Sequence, residues 1–309
     1  MVRREQFFYP SFGDRAMVEA MLWMPDEGQE IRGIVQVAHG ILENIKRYEK
    51  FAQIFCGHGF VVCGNNYLGH GESLIEGIPG YFGEDKPLEA LLEDIEALRR
   101  IVKARFPGRG YFLFGHSMGS FLTRILVTRT DDIPDGVILS GTTGPNRLMK
   151  WVWKPLTNIL WKQKGGKQYS GLVDLLFKSS SRGPFSKKGA PNSKDSDSPA
   201  EALGHNRGPT IRLTLSAYYT IFNLLDQISS VRWARSVPQA VPIFMVSGGK
   251  DPVGENGKGV YKVYHWLRRA GIEDLAIKLY PQARHDLLND QNREAVAKDI
   301  LEWIAPRNK

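Results

Sequence analysis

Residues 110–119 read GYFLFGHSMG and join an apolar run to a segment, 118–128, with the composition of a helix. The junction is the pentapeptide GHSMG at 115–119, which has the pattern G-x-S-x-G. A sharp turn from strand to helix holds its central serine in a strained conformation, and the flanking glycines let neighbouring backbones pass closely. We therefore predict that the Ser117 hydroxyl projects from such a turn, beside a helix N-terminus that stabilises negative charge.

Strand-like and helix-like segments alternate on both sides of this turn. Short apolar runs bounded by glycine are typical of buried parallel strands, and apolar residues at every third or fourth position are typical of helices. The pattern predicts an α/β protein with a mostly parallel central sheet and helices on both faces, preceded by a β-hairpin. The predicted strands are 5–10, 16–24, 33–40, 60–66, 110–117, 136–141, 241–249 and 275–281, and the predicted helices are 47–58, 88–106, 118–128, 257–270 and 293–304.

The alternation stops in the middle third of the chain. Apolar segments at 151–161, 171–177 and 210–225 look helical, whereas 179–209 is rich in Ser, Lys, Gly, Pro and Asn, as loops are. The alternation then resumes, so the middle third is an insertion between two parts of one sheet. The predicted division is residues 1–141 and 237–309 for the sheet domain and residues 142–236 for the insertion.

A serine hydroxyl is a weak nucleophile that needs a general base, and the base needs an acid to orient it. On a sheet of this kind the chain order is Ser, then Asp or Glu, then His. Asp251 follows one predicted strand and His285 follows the next. Both therefore lie at the carboxyl ends of strands, where functional side chains of open α/β sheets gather. Ser117, Asp251 and His285 are the predicted catalytic triad.

Two backbone N–H groups are predicted to bind the oxyanion that forms when an acyl carbonyl is attacked. One belongs to Met118, which follows the nucleophile, and the other to Ile41, in the loop after the predicted strand 33–40. Gly40 would allow this loop to approach the substrate oxygen closely. His39 suits a structural hydrogen bond better than a role as the base.

The net charge of +8 comes from 41 Lys and Arg against 33 Asp and Glu, and it is unevenly distributed. Residues 147–188 contain ten basic residues and a single acidic one, so this segment carries +9 and the rest of the chain −1. No nucleic-acid-binding motif accompanies the charge, and nucleic acid is not a predicted partner. Attraction of this segment to an anionic lipid surface or head group is a hypothesis that fits.

Other composition features argue against several classes of protein. Two cysteines, Cys56 and Cys63, are too few for a disulfide scaffold and are predicted to be reduced. No apolar run is long enough to span a bilayer, and residues 1–20 lack the apolar core of a signal peptide, so a cytoplasmic protein is expected. The histidines lack metal-ligand spacing and phosphate-binding loops are missing, so neither a metal nor a cofactor is predicted. Nothing in the sequence sets an oligomeric state.

The chain resembles the α/β-hydrolases of the monoacylglycerol lipase and lysophospholipase group. The matching segments are HGILENIKRY at 39–48, GHGES at 69–73, GHSMG at 115–119, GGKDP at 248–252 and RHDLLND at 284–290. The resemblance implies a serine ester hydrolase in which Ser117 is the nucleophile, His285 the general base and acid, and Asp251 the residue that orients His285. It also implies that the inserted middle third is a helical cap over an acyl pocket, with an acyl ester or lipid as substrate.

The chain departs from the family pattern at Asn66, where the family has an aspartate three residues before GHG. That aspartate is structural in the family, so we expect the change to affect loop packing more than catalysis. The part of the cap after about Arg182 also matches the family poorly. Acyltransferase, amidase or haloperoxidase chemistry on the same triad remains an alternative, as does a non-catalytic lipid-binding protein on a hydrolase scaffold.

Overall fold

The computed structural model describes residues 2–129, 131–144, 154–181, 211–289 and 292–308. No helix in these ranges combines the length and the apolar character needed to cross a bilayer. Residues 182–209 of the predicted loop 179–209 lie outside the described residues, as do residues 151–153 of the first predicted cap helix.

Eight strands form one sheet in the order β1-β2-β4-β3-β5-β6-β7-β8. The first two strands form the predicted hairpin, in which β2 is antiparallel to both of its neighbours, β1 and β4, and the remaining six strands are parallel to one another. The strands are β1 Arg3–Pro10, β2 Met17–Met24, β3 Gly33–Ala38, β4 Phe60–Asn65, β5 Gly110–His116, β6 Gly136–Ser140, β7 Ile243–Gly248 and β8 Leu275–Tyr280. The predicted mostly parallel sheet is confirmed.

Helices cover both faces of the sheet, and each face has its own hydrophobic cluster. The helices are α1 Glu49–Gly57, α2 Pro87–Arg105, α3 Met118–Leu126, α4 Lys154–Lys164, α5 Gly171–Ser181, α6 Leu215–Gln227, α7 Val231–Arg235, α8 Lys258–Arg269 and α9 Arg293–Ile304. Helices α1 and α9 pack on one face, whereas α2, α3, α6, α7 and α8 pack on the other. Because both faces are covered, every residue of β3 and β5 is buried, which explains why these strands are mostly apolar rather than alternating.

The middle of the chain is helical where it is described, as predicted. Helix α5 continues to Ser181, so the prediction of loop from residue 179 was wrong for its first three residues. Helix α6 is buried along most of its length and belongs to the same hydrophobic cluster as α2 and α3. Helix α4, by contrast, buries a single residue, Thr157. The division at residues 142 and 236 stays a prediction.

Candidate active site

The turn between β5 and α3 places the Ser117 side chain. Ser117 has φ +51° and ψ −117°, a combination that L-residues rarely adopt. Its N–H donates to the carbonyl of Ser140 on the neighbouring strand β6 at 2.9 Å, which holds the strained residue in place. The predicted sharp turn from strand to helix is confirmed.

The two glycines of the GHSMG motif are required by packing around this turn. A Cβ atom on Gly119 would lie 2.0 Å from the carbonyl oxygen of Ala38, at the end of β3. A Cβ atom on Gly115 would lie 2.6 Å from both the carbonyl oxygen of Gly119 and the hydroxyl of Thr123. Side chains at either position would push α3 away from the sheet, so the motif spacing follows from the close approach of three backbone segments.

Asp251 and His285, which follow β7 and β8, come together with Ser117 at the carboxyl ends of the strands. His285 Nε2 lies 2.9 Å from Ser117 Oγ, and His285 Nδ1 lies 2.9 Å from Asp251 Oδ2. Asp251 is fully buried, and its other carboxylate oxygen accepts the N–H of Val253 at 2.8 Å. The carboxylate thus selects the tautomer in which Nδ1 carries the proton and Nε2 faces the serine.

The charges around His285 favour its protonated form. Burial lowers its pKa, but the charge and hydrogen bond of Asp251, with smaller contributions from Glu43 and Asp286, outweigh burial and raise the pKa above its ordinary value of 6.5. Burial likewise raises the pKa of Asp251, but His285 and two backbone N–H groups outweigh it and lower the pKa overall. A base whose protonated form is stabilised in this way suits proton abstraction from a serine hydroxyl.

The N–H groups on either side of Ile41 in the loop after β3 are engaged within the protein. Gly40 N–H donates to Glu43 Oε2 at 3.1 Å, and Leu42 N–H points to His70 Nε2 at 3.3 Å. Among the described residues neither Ile41 nor Met118 uses its N–H in a hydrogen bond. Both therefore remain the predicted oxyanion donors.

Packing within the protein gives a further reason for glycine at position 40. A Cβ atom there would lie 2.8 Å from Glu43 Oε1 and 3.2 Å from the His116 ring, so the space is already filled by protein. His39 has the structural role expected of it. Its Nδ1 lies 2.7 Å from the carbonyl of Gly40 and its Nε2 accepts the N–H of Tyr67, and burial lowers its pKa to about 4.

Glu43 is a buried carboxylate at the site that the sequence analysis did not single out. It lies within the HGILENIKRY segment, but nothing in its residue type or spacing distinguishes it there from a surface glutamate. A second missed feature is an ion pair between Arg47 and Asp286, which joins the loop after β3 to the residue that follows His285. The contact of Glu43 with His116 and the pair of Arg47 with Asp286 each link segments that are far apart in the chain.

Asn66 has a partner that accounts for the departure from the family pattern. Its side-chain N–H₂ donates to Glu19 Oε2 at 2.5 Å, and its Oδ1 accepts the N–H of Ile45 at 2.8 Å. Glu19 is fully buried and also pairs with Lys46 at 2.7 Å. An aspartate at position 66 would face the Glu19 carboxylate at hydrogen-bond distance, so an amide is the compatible side chain. Glu19 supplies the negative charge next to the loop.

The basic segment 147–188 is partly neutralised where its side chains are described. Lys154 pairs with Asp226 and Lys167 with Glu76, each at 2.6 Å, whereas Lys162 and Lys164 are exposed. The Glu84 carboxylate accepts the Trp161 indole N–H at 2.6 Å and the backbone N–H of residue 166 at 2.7 Å. Acidic residues outside this basic segment thus anchor α4 and the turn that follows it.

Cys56 and Cys63 are free, buried thiols, in agreement with the prediction that they are reduced. Burial raises the pKa of Cys56 to about 12, which makes it a poor nucleophile.

Comparison with known protein families and structures places this chain among hydrolases. The family described as serine aminopeptidase, S33, matches residues 29–292. A monoacylglycerol lipase of Mycolicibacterium smegmatis is 24% identical over 291 residues, which cover 92% of this chain and 91% of that protein. The human monoglyceride lipase is 24% identical over 285 residues, covering 89% and 83% of the two chains.

Among solved structures, a thermostable carboxyl esterase from Bacillus coagulans, determined in complex with glycerol, superposes with a TM-score of 0.87. It is 30% identical, and the match covers 99% of each chain. The sheet, the helices on both faces and the chain order are therefore those of the α/β-hydrolase fold.

Proposed function

This chain belongs to the serine aminopeptidase S33 family of α/β-hydrolases, and we propose that it cleaves esters of a single acyl chain through Ser117, His285 and Asp251. At the level of the family it is a carboxylic ester hydrolase. The observation that carries the proposal is the continuous relay from Ser117 Oγ to His285 to Asp251, with 2.9 Å at each step. Monoacylglycerols and lysophospholipids are the proposed substrate class, and the lipase relatives support it.

In the proposed acylation step, Ser117 Oγ attacks the acyl carbonyl while His285 Nε2 takes the serine proton. The carbonyl oxygen becomes an oxyanion held by the N–H groups of Ile41 and Met118, each worth about 3 kcal/mol in comparable sites. The N-terminus of α3 lies beside the same charge. Asp251 stabilises the imidazolium that forms on His285.

Collapse of the tetrahedral intermediate then releases the alcohol. His285 returns its proton to the alcohol oxygen as the C–O bond breaks, which leaves the acyl group on Ser117. Water attacks this acyl-enzyme with His285 again as the base, and the fatty acid leaves as Ser117 regains its proton. The free enzyme is restored without any cofactor.

Hydrolysis of an amide bond is the second candidate, because the family description names an aminopeptidase. Ester and amide hydrolysis use the same triad, and they differ in the leaving group that His285 must protonate. Rates for an ester and an amide with identical acyl and leaving-group skeletons distinguish the two. A higher kcat/KM for the amide would contradict the ester assignment.

The surface of α4 and α5 supports a further part of the proposal, which is contact of the cap with an anionic lipid surface. Ile159, Leu172 and Leu175 are 52%, 54% and 65% exposed, and Lys162 and Lys164 lie on the same segment. Apolar side chains among lysines are the composition of helices that rest on anionic membranes. Binding to vesicles with anionic head groups should weaken as salt rises, and no binding at low salt would remove this part.

The substrate proposal is tested with monoacylglycerols and lysophospholipids of graded chain length. The wild-type protein and Ser117→Ala are assayed side by side for release of fatty acid. We expect hydrolysis by the wild-type protein, with a preferred chain length, and none above background by the variant. Release of fatty acid by Ser117→Ala at the wild-type rate would overturn the role of Ser117.

A further inference from the structure

The Glu43 carboxylate lies at the centre of a buried network behind the proposed oxyanion site. Its Oε2 accepts the N–H of Gly40 at 3.1 Å and the hydroxyl of Tyr48 at 2.9 Å. Its Oε1 lies 3.5 Å from His116 Nε2, and both side chains are only 4% exposed. A buried charge is costly unless it is paired and hydrogen-bonded, and Glu43 accepts two hydrogen bonds and is also stabilised by the charge of Arg47.

Two of these partners belong to the reacting region. Gly40 directly precedes Ile41, so the hydrogen bond from the Gly40 N–H to Glu43 fixes the peptide unit next to the one that carries the Ile41 N–H. His116 precedes Ser117, and its ring lies against the His285 ring with 4.9 Å between the centroids. One carboxylate therefore contacts the loop that presents the oxyanion donor and the ring that supports the proposed base.

We propose that Glu43 is a positioning residue for ester hydrolysis, which holds the Ile41 loop through Gly40 and places a second fixed negative charge behind His285 through His116. This inference rests on the function proposed above, in which His285 carries a positive charge during acylation. A fixed charge behind the ring stabilises that transition state more than the neutral ground state, so it acts on kcat.

The electrostatics of the site are consistent with an ionised Glu43. Burial raises the pKa of Glu43, but His116 and Arg47 outweigh burial and keep the pKa well below its ordinary value. The groups that face His285 come from four places: Asp251 from the loop after β7, Asp286 from its own loop, His116 from the end of β5 and Glu43 from the loop after β3. Unlike Asp251, the Glu43 carboxylate makes no direct hydrogen bond to His285.

The test separates the charge of Glu43 from its hydrogen bonds. Glu43→Gln keeps an oxygen that can accept from Gly40 and Tyr48 but removes the charge. Tyr48→Phe keeps the charge and removes one hydrogen bond. Glu49→Gln is the matched control, because Glu49 is six residues away and its carboxylate binds Trp23 and Gln53 instead. Rates are expressed per active site titrated with a fluorophosphonate.

For Glu43→Gln we expect a fall in kcat of roughly 10- to 100-fold, less than the loss of an oxyanion donor itself, with KM for a small soluble ester within about two-fold of wild type. The acidic limb of its pH profile for kcat/KM should move to lower pH, because the Glu43 charge raises the pKa of His285. Tyr48→Phe should lower kcat by a smaller factor and keep the acidic limb of the wild-type pH profile. Glu49→Gln should match the wild-type protein in both.

A Glu43→Gln protein with the wild-type kcat and the wild-type limb would overturn the proposal, and so would equal losses in Glu43→Gln and Glu49→Gln. If Glu43→Gln does not fold, Tyr48→Phe decides: an unchanged kcat would overturn the proposal and a reduced kcat would support it. Failure of the proposed function would look different, because Ser117→Ala would then hydrolyse the ester as the wild-type protein does.

Discussion

The carboxyl edge of the sheet, formed by the loops after β3, β5, β7 and β8, and the cap segment, residues 154–181, are held in contrasting ways. At the carboxyl edge the backbone itself is locked, since Ser117 is strained and Gly119 lies under a carbonyl of β3. The cap segment is held by contacts with acidic side chains, such as that of Glu84, together with backbone hydrogen bonds from α6 and partly buried apolar side chains such as Trp161. Asp251 at the edge is fully buried, whereas Leu175 in the cap segment is 65% exposed.

Under the proposed function, this contrast predicts that the chemical step and lipid binding can be altered separately. Small changes at the carboxyl edge should alter kcat or the stability of the whole domain, because packing there leaves no room to adjust. Changes in the cap segment should alter lipid binding and leave the hydrolysis of a small ester intact. The variants below probe the two regions, from the largest expected effect to the smallest.

Asp251→Asn should lower kcat by about 10⁴-fold with little change in folding, because an amide no longer selects the tautomer of His285 that can act as a base. The acidic limb of the pH profile should also change. In the wild-type protein, protonation of His285 abolishes activity, so kcat/KM should fall to half at a pH above 6.5. The Asp251 charge raises that pKa, so the variant's limb should lie at lower pH. Asp274→Asn, which alters a surface pair with Arg307, is the control.

Gly119→Ala should destabilise the protein by about 3 kcal/mol, because the new methyl group overlaps the backbone of Ala38 and must push α3 away from β3. Urea unfolding measures the change. Gly57→Ala is the matched control, since a Cβ atom there meets nothing within 4 Å. Equal stability of the two variants would contradict the close packing described for the turn.

Asn66→Asp should cost about 2 kcal/mol at neutral pH, because it sets a carboxylate against buried Glu19. The loss should shrink as the pH falls far enough to protonate one of the two carboxyl groups. Glu19→Gln combined with Asn66→Asp should recover most of the stability, as a double-mutant cycle would show. If Asn66→Asp alone were as stable as the wild-type protein, Glu19 would not explain why position 66 is asparagine.

Lys162→Glu with Lys164→Glu should weaken binding to anionic vesicles by roughly ten-fold or more, since each basic residue near such a surface contributes about 1 kcal/mol. Hydrolysis of a small neutral ester should stay within about two-fold of wild type. Lys50→Glu with Arg109→Glu changes the same number of exposed charges elsewhere and should bind as the wild type does. Equal losses in both pairs would mean that only net charge matters.

The sequence was sufficient to predict the parts of the site that depend on local rules. The turn at Ser117 followed from two glycines at fixed spacing, and the meeting of Asp251 with His285 followed from the positions of both after parallel strands. The hairpin and the mostly parallel character of the sheet followed from apolar runs, turn residues and the alternation of strands with helices.

Features that depend on contacts between distant segments could not be predicted in this way. Glu19 and Asn66 are 47 residues apart, and nothing near either one indicates that the amide replaces a second charge. The position of α4 depends on Glu84, which is 77 residues before Trp161. In the sequence Glu43 looks like an ordinary loop glutamate, and its contact with His116 is seen only in the folded structure. Pairing of this kind is decided by the tertiary structure.

The most direct measurement of the proposed chemistry is labelling with a fluorophosphonate followed by mass spectrometry of the modified peptide. We expect one covalent adduct on Ser117, with labelling lost in Ser117→Ala and slowed strongly in both His285→Ala and Asp251→Asn. Labelling of Ser117→Ala at the wild-type rate, or an adduct on another residue, would contradict a Ser117–His285–Asp251 triad.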